Sequence, residues 1–204
     1  MLQRQIKSDR RTRQTGKFIR DAFLQLIAEK GYPAITIQDI TDRAEMNRST
    51  FYYHYKGKEE LLEQCIHEML SLAEKDIMRP AGTNDQETNS TECNDQIRFY
   101  IRLFEHISGQ ADFYRVMLRH VPLCGQRLSG IIQQFYQARI FSNHPIADNL
   151  VISRELLTTY ITGAYTAVIL SWLEQGLPYT PASMAQQLSL VMNKGPYRAA
   201  GLLQ

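Results

Sequence analysis

Apolar residues recur along this chain at three- and four-residue intervals, and no stretch stands out as strand-like alternation. Phe18, Ile19, Ala22, Phe23, Leu26 and Ile27 follow that spacing and predict a first helix, stopped at Gly31. Thr36 stands ahead of Ile37, Ile40 and Ala44, with Asp39 three positions on, the placement of an N-cap for a second helix. Asn47 is placed to cap a third that begins at Arg48, and Ala44, Glu45 and Met46 leave room only for a short turn between the two. The third helix carries apolar residues on one side and Arg, Ser, Thr, Tyr and His on the other. Two short helices so spaced make the helix-turn-helix pattern, whose second helix enters a DNA major groove.

Beyond that head the helical spacing continues. Leu62, Cys65, Ile66, Met69, Leu72 and Ala73 share one face of a helix over 58–77, long enough to cross from head to body. Residues 80–95 have almost nothing to bury and read as a flexible surface loop. Helices resume through Ile97–Ile107, Phe113–Leu118 and Leu128–Tyr136, with Gly109 and Pro122 as stops. Pro145 precedes a long helix over 146–175, Gly176-Leu177-Pro178 breaks it, and Pro181 starts a last helix through 192. The chain therefore reads as all-α. An N-terminal three-helix head occupies residues 1–57, with a polar, mobile arm over 1–14. A larger helical body for effector binding and dimerisation occupies 58–204, with 58–79 as connecting helix.

Net charge is only +2, but its distribution is uneven. Residues 1–58 hold twelve Lys/Arg against six Asp/Glu, a net +6, so the remainder carries −4. A basic head on an acidic body suits a polyanion at one end. Arg4, Lys7, Arg10, Arg11 and Arg13 form a basic arm that could lie along phosphates or enter a minor groove. Cys65, Cys93 and Cys124 lack paired spacing, which points to a reducing compartment and away from a disulfide framework or zinc site. The basic start has no apolar stretch of the secretory kind, so the expected location is cytoplasmic. Residues 156–173 are without charge and reach the lower edge of a membrane span, but they hold five Thr or Ser and are bounded by Glu155 and Glu174. The expectation is a helix buried on nearly all sides, with no membrane partner.

Gly31-Tyr32, Thr36, Tyr52-Tyr53-His54-Tyr55 and Lys58-Glu59-Glu60-Leu61 together resemble the TetR family of bacterial transcription regulators, over about residues 13–62. One departure is Glu45, where the family usually has Gly in the turn. The resemblance implies that Arg48, Ser49, Thr50 and Tyr53 face base edges, with Gln38 a further candidate, and that Thr36, Tyr52, His54 and Lys58 hold phosphates. Thr36 and Lys58 open helices, where N–H groups and the dipole favour an anion. Arg48 can donate two parallel bonds to guanine O6 and N7. The resemblance also implies a small molecule held among the body helices, for which Phe104, Met117, Tyr136 and Tyr165 are candidate ligand-binding residues. It implies pairing of the last two long helices across a two-fold axis, with Tyr160, Gly163, Ala164, Ala167, Val168 and Trp172 as candidate dimer contacts.

For catalysis the sequence offers little. His67-Glu68 begins a zinc-protease-like string, but Ser71 stands where the second His is needed. There is no Glu-x-x-His, no Gly-rich phosphate loop and no Gly-x-Ser-x-Gly elbow. No metal, cofactor or enzymatic activity is expected. The reading is a homodimeric, cytoplasmic, sequence-specific regulator that binds a double-stranded DNA operator. It would act as a repressor released by a small, mainly apolar ligand. The alternatives are a regulator or activator controlled by a protein partner and, remotely, a helical enzyme.

Overall fold

The computed structural model describes residues 2–78, 91–141 and 150–202. In order these form α1 (Leu2–Lys30), a 3₁₀ turn (Tyr32–Ala34), α2 (Ile37–Arg43), α3 (Arg48–His54), α4 (Lys58–Ile77), α5 (Thr91–Gly109), α6 (Ala111–His120), α7 (Pro122–Phe135), a π-helical turn (Tyr136–Phe141), α8 (Arg154–Glu174), α9 (Pro181–Lys194) and α10 (Pro196–Ala199). No strand occurs among the described residues, so the fold is all-α, with the helix-turn-helix in its N-terminal part.

Two compact units divide the chain. One takes residues through Met69 together with Val116–Cys124; the other takes Leu70–Arg115 and Gly125–Gln204. The division therefore falls inside α4 rather than at its start. In the first unit Ile19, Phe23 and Ile27 of α1 are buried with Ile35, Ile40, Phe51, Tyr55, Leu61 and Ile66. Each such side chain removed from water stabilises by about 1.5–3 kcal/mol. Phe18 shares the apolar spacing but lies 49% exposed, beside the buried stripe rather than in it. Leu72, placed by its spacing on the apolar face of α4, is likewise half exposed.

Four expectations change. The polar arm is helical over its described residues 2–14, because α1 begins at Leu2 and the stretch ahead of Gly16 is rich in Gln, Lys and Arg and lacks Pro. α5 begins at Thr91, inside the segment expected to be a loop; the loop's earlier part lies outside the described residues. α8 begins at Arg154 rather than near residue 146, because Ser153 caps it by accepting a bond from the Leu156 amide at 3.1 Å. A short final helix, α10, follows Gly195, with Pro196 in the first turn.

In the second unit α5 packs against α9. Phe99 of α5 stacks on Phe135 of α7 with centroids 3.7 Å apart, and Phe104 meets Trp172 of α8 edge-on at 5.2 Å. α8 ends in a left-handed turn at Gly176 and Leu177. The Leu177 amide reaches the Trp172 carbonyl at 3.0 Å and the Gly176 amide the Leu173 carbonyl at 3.2 Å, which is the Schellman arrangement.

Candidate nucleic-acid interface

Local chemistry sets the two helices of the head. Thr36 has extended backbone geometry and its hydroxyl accepts from the Asp39 amide at 3.2 Å, while Asp39 Oδ2 accepts from the Thr36 amide at 2.7 Å. This reciprocal capping box fixes where α2 starts. Lys30 Nζ lies 2.7 Å from the same Asp39 oxygen. Hydrogen bonds from Lys30, and then from the Thr36 hydroxyl and amide, hold the Asp39 carboxyl well below the usual carboxylate range. Arg43 forms a two-pronged pair with Glu29 at 2.7 Å on both arms and so ties the end of α2 to α1.

The turn after α2 is a Schellman motif with glutamate in the place glycine usually takes. Glu45 has φ +54°, the Met46 amide bonds the Thr41 carbonyl at 2.9 Å, and the Glu45 amide bonds Asp42 at 3.2 Å. α3 begins at Arg48 with Asn47 in the cap position, but the Asn47 side chain makes no capping bond. Phe51 and Tyr55 anchor α3 in the core. Arg48, Ser49, Tyr52 and Tyr53 consequently face solvent together, Tyr53 at 78% exposure. Thr50 is half-buried on the flank of that face. The exposed group combines a bidentate donor, a hydroxyl and two aromatic rings, which is chemistry suited to base edges and phosphate oxygens.

The candidate phosphate contacts divide. Tyr52 is half exposed beside Tyr53. His54 is half-buried, and burial followed by the nearby Arg20 charge lowers its pKa, so the ring favours its neutral form. Thr36 gives both its amide and, at 2.6 Å, its hydroxyl proton to Asp39. Lys58 points its ammonium at three backbone carbonyls, those of Ile35 at 2.8 Å, Pro33 at 3.2 Å and Tyr32 at 3.4 Å, and lies 4.8 Å above the Tyr32 ring. Its three donors thus clamp the 3₁₀ turn. Gln38 is exposed and donates to Asp42 at 2.6 Å. The sequence reading missed the Lys30–Asp39 and Arg43–Glu29 pairs, which join residues nine and fourteen positions apart on different helices and leave no local spacing to recognise.

Of the candidate effector residues, Tyr136 and Tyr165 meet. Their hydroxyls are 2.7 Å apart, and Tyr136 also lies 2.8 Å from the Tyr100 hydroxyl, which accepts from Gln96 at 2.9 Å. Phe104 packs on Trp172. Met117 is buried but belongs to the other compact unit. Of the candidate dimer residues, Tyr160, Gly163 and Ala167 are exposed along one face of α8, and Ala164 and Val168 flank it half-buried. Trp172 is buried within the chain and donates its indole N–H to the Tyr179 carbonyl at 3.0 Å, so its ring is used in this chain's own core. The expectation of a helix buried on nearly all sides is corrected: α8 is long and apolar enough to cross a membrane, yet only 33% of that stretch is buried. Its apolar length comes from two faces, one packed and one open.

Comparison with known proteins places these features in a family. Residues 19–65 match the model of bacterial regulatory proteins of the tetR family, and residues 94–194 match a transcriptional regulator C-terminal region. An uncharacterized HTH-type transcriptional regulator, YxbF of Bacillus subtilis (strain 168), is 49% identical over 59 residues, which is 28% of this chain and 16% of that protein. The match thus spans well under two thirds of that relative. A TetR transcriptional regulator from Streptococcus agalactiae 2603V superposes with a TM-score of 0.62 at 19% identity, over 98% of this chain and 99% of that one. FadR from Bacillus subtilis, in complex with stearoyl-CoA, superposes with a TM-score of 0.58 at 18% identity, over 88% and 98% respectively. Both structures carry the same fold. The two family models together cover the helix-turn-helix and most of the helical body, and the chain belongs to the TetR family of DNA-binding transcription regulators.

Proposed function

We propose that this protein is a homodimeric repressor that reads a double-stranded operator through α3 and is released from it by a small, mainly apolar effector. The observation that carries the reading is the outward face of α3, Arg48, Ser49, Tyr52 and Tyr53, anchored by the buried Phe51 and Tyr55 beneath it. Arg48 and Tyr53 address base edges, with Ser49 and Thr50 beside them and Gln38 and Tyr52 at the margin. Repression is the sense proposed because an occupied operator blocks transcription by itself, whereas activation needs a further surface for the polymerase. Such a regulator works in the cytoplasm.

Pairing is supported by the open face of α8. Tyr160 is 58% exposed, a side chain added at Gly163 meets nothing within 4 Å, and Ala167 continues the face. The face runs into a cleft of ≈ 380 Å³ between α8 and α9, lined by Val168, Pro178, Tyr179 and Met184 among others. Small residues beside large apolar ones allow close helix approach. The effector reading is supported by Tyr100, Tyr136 and Tyr165, whose hydroxyls meet inside an otherwise apolar interior. Displacing one of these hydroxyl contacts would let a mainly apolar molecule with one hydrogen-bonding group match that chemistry. FadR of Bacillus subtilis, similar in fold, holds stearoyl-CoA, which is largely an apolar chain.

The test is light scattering and operator titration on Gly163→Glu beside the parent chain. The variant puts an uncompensated charge into the proposed contact, which costs several kcal/mol. It should be monomeric at micromolar concentration and should bind operator far more weakly. A monomeric parent, or a variant as dimeric as the parent, overturns the pairing.

A further inference from the structure

We infer that two copies of this chain pair through a seam of α8 alone, antiparallel, with the large half of each exposed stripe seated on the small half of the other and α9 left at the rim. The inference rests on the pairing proposed above and fixes its direction and register. The exposed positions of α8 run Leu156, Tyr160, Gly163, Ala167 and Ser171, at steps of four, three, four and four. That spacing keeps one stripe turned toward a second helix. No charged residue interrupts it between Glu155 and Glu174.

The stripe carries a gradient of size. Leu156 and Tyr160, 59% and 58% exposed, fill its first half. Gly163, Ala167 and Ser171 fill its second half, and a side chain added at Gly163 meets nothing within 4 Å. A two-fold contact places residue i against residue j and j against i. With the axis between Gly163 and Ala164, Tyr160 of one copy lies opposite Ala167 of the other, and Leu156 lies opposite Ser171. Large then meets small along the whole seam. Parallel pairing sets Tyr160 on Tyr160 and Gly163 on Gly163, which crowds one end and leaves a void at the other. Charge agrees with the antiparallel sense, because it brings the Arg154 end of one helix to the Glu174 end of its mate and opposes the two helix dipoles.

The cleft between α8 and α9 lies at the small half of the stripe. Ala167, Val168, Ser171 and Trp172 form its α8 wall, and Met184 and Gln187 its α9 wall. The register carries Leu156 of the second copy, opposite Ser171, to that opening. The outer positions of α9 are of another kind. Gln186, Gln187, Asn193 and Lys194 are exposed there, with Leu190 as the large apolar side chain among them. An interface core is apolar and its rim polar, so α9 supplies one wall of the cleft and the rim, and α8 the core.

Thiol cross-linking and sedimentation of the full chain test this, in a Cys93→Ser background because Cys65 and Cys124 are buried. The double variant Tyr160→Cys, Ala167→Cys should give a covalent dimer on mild oxidation. Neither single variant should, because each cysteine then sits about 10 Å along the seam from its own copy, beyond the reach of a disulfide. Tyr160→Arg should raise the dimer dissociation constant by about 30-fold or more, and Leu190→Arg on α9 by less than about threefold. Both positions are exposed, so neither change disturbs the core of the single chain. Cross-linking of either single variant, a dimer whose double variant stays uncrosslinked, or equal effects of the two arginines overturns the inference and leaves the pairing standing. A monomeric parent overturns the pairing and this inference with it.

Discussion

The head and the body of this protein treat their polar groups in opposite ways. In the head they sit at the surface in paired sets, Lys30 with Asp39, Arg43 with Glu29, and Arg20 with Glu68 at 3.6 Å. In the body several are drawn inside. Tyr100, Tyr136 and Tyr165 chain their hydroxyls through the core, and His106 is held between Asp76 and Tyr114 at 2.9 Å on each ring nitrogen. An exposed pair contributes about 0–1 kcal/mol and is easily exchanged for another partner. A buried hydroxyl must keep its partner or incur its full desolvation cost. The head is thus built to offer charge outward, and the body to hold a specific interior.

The largest expected effect tests that contrast with two aromatic truncations. Phe104, fully buried against Trp172, should cost about 3–5 kcal/mol of stability when cut to Ala. Tyr53, 78% exposed, should change stability by less than about 0.5 kcal/mol when cut the same way. Urea denaturation of both variants decides. Similar losses would mean that Tyr53 packs in the folded head and that the outward face is not open.

Next come two cations of the head to which the sequence reading gave different DNA contacts, Arg48 at base edges and Lys58 at phosphates. Arg48→Ala should weaken operator binding by about 1–3 kcal/mol and relax preference at one base pair. Lys58→Ala should act chiefly on folding, by about 1–2 kcal/mol, because its ammonium is committed to the carbonyls of Tyr32, Pro33 and Ile35. Melting curves beside salt titrations separate the two. A Lys58 variant of unchanged stability and a salt slope lower by about one unit would return that residue to the phosphate contacts.

Alkaline pH should act on the body. Burial raises the phenol pKa of Tyr100 and Tyr165 far above the usual tyrosine value. The unfolded chain releases those protons near pH 10, and the folded chain keeps them. The folded state then binds more protons, so stability falls as pH rises above about 10, by about 1.4 kcal/mol per pH unit for each phenol. In the head unit, burial likewise pushes the Cys65 thiol up to about 12, which adds a decline of its own above about pH 9. Tyr165→Phe should flatten the slope by one phenol's share in urea midpoints taken between about pH 9 and pH 11. An unchanged slope would place that hydroxyl in contact with water.

How far the chain was legible follows the reach of each interaction. The helix-turn-helix is written in neighbours: Thr36 with Asp39, Phe51 with Tyr55, and a short turn at Glu45, all within a few residues. The start of α8 was also local, in Ser153, but Pro145 gave a competing signal upstream. The commitment of Lys58 to carbonyls about 25 residues away has no counterpart in spacing, nor does the meeting of Tyr100 with Tyr136. Periodicity finds a buried stripe but not what lies across from it. For that reason Trp172 read as a dimer contact, although it fills the core of its own chain.

The smallest effect concerns the turn itself. Glu45 holds φ +54°, a left-handed conformation that costs a residue bearing Cβ about 1 kcal/mol relative to glycine. Its amide and that of Met46 close the Schellman bonds to Asp42 and Thr41, so the backbone is fixed there whatever the side chain. Glu45→Gly should therefore stabilise the head, by about 1 kcal/mol less the greater freedom glycine gives the unfolded chain. It also removes an exposed negative charge close to α3, so affinity for DNA should rise slightly at low salt and converge with the parent at high salt. Thermal melts and salt titrations on the same variant read the two effects separately. A less stable variant would show that Glu45 supports the turn by a contact of its side chain, and the turn would then be an adapted feature of this chain rather than a strained copy of the glycine form.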